Sequence, residues 1–304
     1  MKKLIIAAAV IVIAAICFTA CAADRSGQTR DDPQKVDIVC TGFPEYDFMR
    51  QIAGSAADVH MLLKPGQESH SYEPTPADML AIKHCDLFVY CGGESDKWVE
   101  EVLDSVDEGG LRSVKLMDLG DKLAEDHEKE YDEHVWTSPV NAQKIVAGLT
   151  AEICEVDPGN AEVYKKNAAA YIRKLQKLDG EFRRMVKNSK RKTIVVADRF
   201  PFKYLCREYG LKYYAAYPGC ATETEPGADT ITKLIRVVNR EHIPVVFHIE
   251  LSNREMSRAI AGETGTRDLL LHSAHNISES DFKAGKTYLD LMEHDLKVLK
   301  EALN

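Results

Sequence analysis

The order in which apolar patterns change along the chain leaves few folds open. Residues 36–41, 59–63 and 86–91 are short apolar runs of strand length, and helical patterns at 46–54 and 76–84 separate them. Strand and helix alternating in this way close into a parallel sheet. From 140 to 187 the pattern changes: Ala, Leu, Ile, Lys and Glu recur at helical spacing, interrupted only at Asp157-Pro158-Gly159. The stretch from 159 to 187 reads as one helix of about 30 residues, or ~45 Å. The strand rhythm then resumes at 193–197, 212–216 and 244–250, followed by helices at 252–264 and 288–303. The expected fold is therefore α/β, with two lobes joined by one long rigid helix. Each lobe is a mainly parallel sheet with flanking helices. The boundaries fall at 36–139 for the N-terminal lobe, 140–190 for the helical segment and 191–304 for the C-terminal lobe.

The first 35 residues do not belong to that rhythm. Lys2 and Lys3 precede an apolar stretch from 4 to 16, the layout of a signal peptide over residues 1–20. Phe18-Thr19-Ala20-Cys21 resembles a bacterial lipobox, in which Cys21 is acylated and anchors the chain to the membrane. Ala20-Cys21-Ala22 also fits ordinary cleavage, and either route exports the chain. Residues 21–35 are polar and charged, as a tether would be. No later stretch approaches the ~20 apolar residues that a spanning helix needs. The location implied is extracytoplasmic, at the cell membrane or in the periplasm.

Net charge is −9, which argues against nucleic acid as a partner and suits the attraction of cations. Eight cysteines include no C-x-x-C pair, so a cysteine zinc site is not expected. Export makes disulfides possible, Cys206 with Cys220 being the first pair to consider, and burial as small hydrophobes is the other reading.

Histidines fall in three loops that follow strands, where an α/β sheet presents its ligands. His70 lies in the loop that Thr75-Pro76 closes by capping the next helix. His134 sits in Asp132-Glu133-His134-Val135-Trp136-Thr137-Ser138-Pro139, closing an acidic run from 118 to 133 that holds His127 and otherwise reads as a solvated face. His272 and His275 belong to Leu271-His272-Ser273-Ala274-His275. Each histidine taken singly reads as a surface or hydrogen-bonded residue.

Taken together, the His70 segment, the Asp-x-His-x-Trp-x-Ser-Pro segment, the long middle helix, Glu250 and residues 265–273 resemble the zinc- and manganese-binding solute-binding lipoproteins of metal ABC importers, the cluster A-I periplasmic solute-binding family. The resemblance covers residues 36–304. It implies a metal buried between two lobes and delivered to an ABC permease with its ATPase. Matched residue by residue, it makes His70 and His134 ligands, and His272 the ligand where an aspartate is usual. Family members place a histidine ahead of a Phe-x-Tyr pattern, but Arg199 stands at that place here and keeps its proton. Asp198, Glu250 and His275 compete for the fourth position, with a local or interlobe pair of Asp198 with Arg199 and water in that position as the alternative, and His275, three residues on, is also the alternative to His272. His248 lies in a predicted buried strand and reads as structural. Imidazole ligands tilt the expectation towards Zn2+, with Mn2+ as the alternative.

Other function classes are weaker. A zinc hydrolase with Glu250 or Glu223 as base would need a compact motif such as H-E-x-x-H, which is absent from the sequence. An adhesin or metal sensor on the same fold is not separated from transport by sequence. Glu223 and Glu225 resemble acidic contacts to a permease.

Overall fold

The computed structural model describes residues 35–106, 110–123, 131–217, 219 and 227–304. The expectations placed on the signal segment, Cys21, His127, Cys220, Glu223 and Glu225 lie outside these residues. Eight strands form two separate four-stranded sheets, every pair parallel. The first holds β1 (Val36–Cys40), β2 (Ala57–Met61), β3 (Leu87–Tyr90) and β4 (Ser113–Lys115) in the order β2-β1-β3-β4. The second holds β5 (Thr193–Val196), β6 (Lys212–Ala215), β7 (Val245–His248) and β8 (Arg267–Leu270) in the order β6-β5-β7-β8. Strand direction of this kind buries the central strands on both faces, which is why β5 and β7 are buried along their length and apolar apart from the terminal Thr193 and His248. Each order reverses at its middle, between β1 and β3 and between β5 and β7. Parallel sheets open a crevice beyond the carboxyl ends of their strands at that switch.

The helices start where the chemistry of their first residues requires. Helix α1 (Phe43–Ala53) begins ahead of the expected position because Pro44 suits the first turn. Thr75 and Asp78 form a reciprocal capping box at the start of α2 (Pro76–His84). Helix α3 (Lys97–Val106) follows β3. Ser138 caps α4 (Pro139–Val156), with its hydroxyl accepting from the Asn141 N–H at 3.2 Å.

The long helix α5 (Ala161–Asn188) spans 28 residues, ~42 Å. Tyr164, Ala168, Tyr171, Leu175, Leu178, Phe182 and Val186 line its buried stripe at helical spacing. That stripe packs on α4, on α1 beside the first sheet, and on the C-terminal helix α10 (Tyr288–Ala302). One apolar core therefore runs from Ile38 and Leu87 through the α5 stripe to Ile194 and Phe247, and 36–304 forms a single unit. The second sheet is completed by α6 (Lys203–Tyr209), α7 (Ala228–Glu241) and α8 (Glu255–Thr264), and α9 (Glu279–Lys283) precedes α10. Helix α8 starts three residues after the expected 252, because Leu251 and Arg254 take left-handed φ values of 61° and 64° and hold the chain in a turn. Among the described residues no helix is long and apolar enough to cross a membrane.

Candidate metal centre

Three strand ends converge on one point. The loop after β2 carries Ser69 and His70, the segment after β4 carries Asp132 to Trp136, and the turn after β8 carries residues 271–276. Cross-links between these segments fix their approach. Trp136 Nε1 donates to the Ser273 carbonyl at 2.8 Å, and Asn276 Nδ2 donates to the carbonyls of Lys64 and Gln67 at 2.9 and 2.6 Å. From below, Tyr204 donates its hydroxyl to the Asp132 carbonyl at 2.7 Å and Tyr288 to the Trp136 carbonyl at 2.6 Å.

The result is a group of four side chains, His70, Glu133, His134 and His275, whose ligand atoms all lie within 4.8 Å of one another. Glu133 Oε1 is 3.9 Å from His70 Nδ1 and 3.9 Å from His134 Nε2. The His275 ring stands edge-on to both other imidazoles, with centroids 5.4 Å from His70 and 5.3 Å from His134. Tetrahedral zinc with bonds of 2.0–2.1 Å would set its ligand atoms about 3.3 Å apart, so a contraction of about 1 Å completes the shell.

Neighbouring groups orient three of the four side chains. The Glu133 carboxylate accepts at Oε2 from the Ser95 N–H and hydroxyl, at 2.9 and 3.0 Å, which turns Oε1 towards the imidazoles. His134 donates from Nδ1 to Asp132 Oδ1 at 2.9 Å, leaving Nε2 as the lone-pair nitrogen. Burial pushes the Asp132 carboxyl up, but His134 beside it, its hydrogen bonds and the Lys203 ammonium 3.6 Å away together hold it below the usual carboxylate range. His275 Nδ1 lies 3.4 Å from the Ser69 hydroxyl. Neither His70 Nδ1 nor Glu133 Oε1 has a hydrogen-bond partner among the described residues, although both atoms are shut off from solvent. Atoms left bare in a protein interior are costly unless something binds them.

Burial drives the His70 and His275 imidazoles below their usual range, His275 well below, and mutual repulsion with His134 adds to the effect. The rings are thus neutral at physiological pH, the form that binds metal. Beside the group, a cavity of about 20 Å³ is lined by Glu45, Asp96, Ser69 and His275. Burial, reinforced by mutual repulsion, raises the Glu45 carboxyl to about 8, and burial raises Asp96 to about 7.

The structure brings His70, His134 and His275 together and does not bring His272, Asp198 or Glu250 to them. His272 lies instead with His294 and Asp295. The cause is a backbone bend. Glu250 grips the Ser273 N–H at 2.7 Å and its hydroxyl at 2.5 Å, and Ala274 takes a left-handed φ of 55°, so the two histidines leave the turn in different directions. Those bonds occupy both carboxylate oxygens of Glu250. Asp198 accepts the backbone N–H groups of Arg199 and Ile249, at 2.9 and 3.4 Å. Arg199 pairs not with Asp198 but with Glu68, at 3.2 Å, across a cavity of about 30 Å³ that His70 and His275 also line. His248 ends β7 and bonds Asp268 at 2.5 Å. Cys206 is a buried thiol. Glu133 was not singled out by the sequence because it ends an acidic run. Its only signal is its place between Asp132 and His134, ahead of the buried Val135 and Trp136.

The family model described as zinc-uptake complex component A, periplasmic (ZnuA), matches residues 38–302. The high-affinity zinc uptake system protein ZnuA of Bacillus subtilis is 33% identical over 308 residues, covering 96% of each chain. The zinc-binding lipoprotein AdcA of Streptococcus pneumoniae is 33% identical over 88% of this chain, which spans 56% of AdcA's length. The Zn(II)-bound ZnuA-like domain of that AdcA superimposes with a TM-score of 0.77 at 33% identity, over 88% of this chain and 99% of the domain.

Proposed function

Because the chain belongs to the zinc-uptake complex component A family, we propose that it captures a zinc ion outside the cell membrane with His70, Glu133, His134 and His275 and passes it to an ABC permease and its ATPase. The observation that carries this reading is the clustering of three imidazoles and one carboxylate, with Glu133, His134 and His275 each beside a partner of its own and His70 Nδ1 left bare. Three nitrogens and one oxygen at near-tetrahedral spacing suit zinc, whereas manganese favours more oxygen ligands and a higher coordination number.

Four protein ligands also favour capture over catalysis. A hydrolytic zinc site keeps one position for water, and that water is its nucleophile. Here Glu133 fills the fourth position, so the ion is cargo and no bond of a substrate is broken. Binding draws the loops after β2 and β4 towards the turn after β8. The Arg199–Glu68 pair lies across the same boundary, on the cavity side of His70 and His275. Release to a permease would reverse that approach. Acylation at Cys21 would hold the protein at the membrane where the permease lies.

The test is metal competition. The full chain is stripped with a chelator, offered zinc and manganese together, and its bound ions are counted by mass spectrometry. Zinc retained over manganese, and lost in His275→Ala, supports the reading. Preference for manganese, or zinc retention unchanged by His275→Ala, would overturn it.

A further inference from the structure

His272, which the turn after β8 separates from the metal centre, meets two other ligand-bearing side chains. Its imidazole lies with His294 and Asp295, and the ligand atoms of the three are all within 4.8 Å of one another. The rings of His272 and His294 stand edge-on, 5.0 Å between centroids.

Two of the three are already oriented. His294 sets Nε2 at 3.3 Å from the Leu270 carbonyl, which accepts its proton and leaves Nδ1 with the lone pair. Asp295 accepts the backbone N–H of His272 at Oδ1, 2.8 Å away, which ties the carboxylate to the residue whose ring it adjoins. Asp295 is 1% exposed, and no lysine or arginine among the described residues pairs with it. Burial holds the Asp295 carboxyl well above its usual range, and a metal ion shared by all three side chains would take the place of its proton. Of the other charged groups around His272, Asp281 and Lys286 neutralise each other at 2.6 Å.

We infer that His272, His294 and Asp295 form a second binding site for a zinc-class divalent cation, distinct from the group of His70, Glu133, His134 and His275. Two imidazoles and one carboxylate suit first-row ions from cobalt to zinc. With three protein ligands instead of four, and with His294 at the surface, the site completes its shell with water and binds more weakly than the central one. Both sites draw a ligand from the same turn, since His272 and His275 flank the Ser273 that Glu250 holds.

The experiment titrates the chelator-stripped full chain with zinc in competition with a chromophoric chelator, then with cobalt while its visible absorption is followed. The unmodified chain is expected to take two equivalents, one tight and one weaker. His294→Ala changes an exposed side chain, so folding is preserved. It should weaken the second equivalent by more than the 10–100-fold that loss of an outer partner costs, roughly beyond 100-fold, and leave the first untouched. His70→Ala should remove the tight equivalent and spare the weaker one. A single equivalent in the unmodified chain, or two equivalents surviving His294→Ala, would overturn the proposal. The central site is judged separately by His70→Ala, so failure of one assignment does not hide failure of the other.

Discussion

The loops at the carboxyl ends of the two sheets carry similar residues and use them differently. Beyond the first sheet, Glu133 keeps Oε1 free of any hydrogen-bond donor among the described residues, as do both oxygens of Glu45 and Nδ1 of His70. Beyond the second sheet the acids have both oxygens engaged. Asp198 accepts two backbone N–H groups and Glu250 takes the Ser273 N–H and hydroxyl, as Asp268 within β8 takes His248 and Arg254. The first set of loops supplies unspent lone pairs, and the second supplies a scaffold that delivers a single ring, His275. What separates a ligand from a structural acid here is whether the fold has already consumed its acceptors.

The largest test of that contrast sets a ligand against an occupied acid. Structural zinc sites bind with roughly 10–16 kcal/mol, so one ligand of four is worth about 3 kcal/mol, or about 100-fold in affinity. His70→Ala is expected to weaken zinc by at least about 100-fold. Asp198→Ala should change it by less than about threefold, because its oxygens serve the backbone. Competition titration measures both. A strong loss in the Asp198 variant would mean that the second sheet's loops reach the ion after all.

A smaller effect should come from a residue that orients a ligand. Asp132→Asn keeps the shape but can present an amide N–H to His134 Nδ1, which disturbs the tautomer that places the lone pair at Nε2. Zinc affinity should fall by about 10–100-fold, with the one-ion stoichiometry of the central site kept. Glu250→Gln comes next, at about tenfold or less, since the amide can still accept from Ser273 with one oxygen and only loosens the turn. If Glu250→Gln costs as much as His70→Ala, Glu250 is a ligand and the contrast between the loops fails.

Much of this arrangement was legible in the sequence, and the remainder depends on contacts distant in the chain. The strands β1, β3, β5 and β7 announce themselves because buried parallel strands are continuous apolar runs. β4 is three residues long, too short to show a period of two. His70 and His134 could be found as loop residues inside recognisable motifs. The choice between His272 and His275 could not, because the bend at Ser273 and Ala274 is imposed by Glu250, a residue of another loop. Glu133 was hidden for the opposite reason, since an acid within an acidic run carries no mark of the Ser95 hydroxyl that will turn it inward.

The smallest expected effect is one of stability and concerns Glu45, which lines the cavity beside the central site. Burial raises its carboxyl from 4.5 to about 8. Between those values the folded chain keeps a proton that the unfolded chain has released, so folding takes up a proton and stability declines as pH rises through the window. The contribution is full below pH 4.5 and is lost as pH passes about 8. Glu45→Gln removes that dependence and leaves the contribution of Asp96 in both proteins. In the metal-free protein, thermal melts at pH 5 should give similar midpoints for the two chains, whereas at pH 8 the variant should melt higher by at least about 2 °C. Parallel pH profiles would mean that Glu45 is solvated or hydrogen-bonded in its cavity, and that its lone pairs are as fully used as those of Glu250.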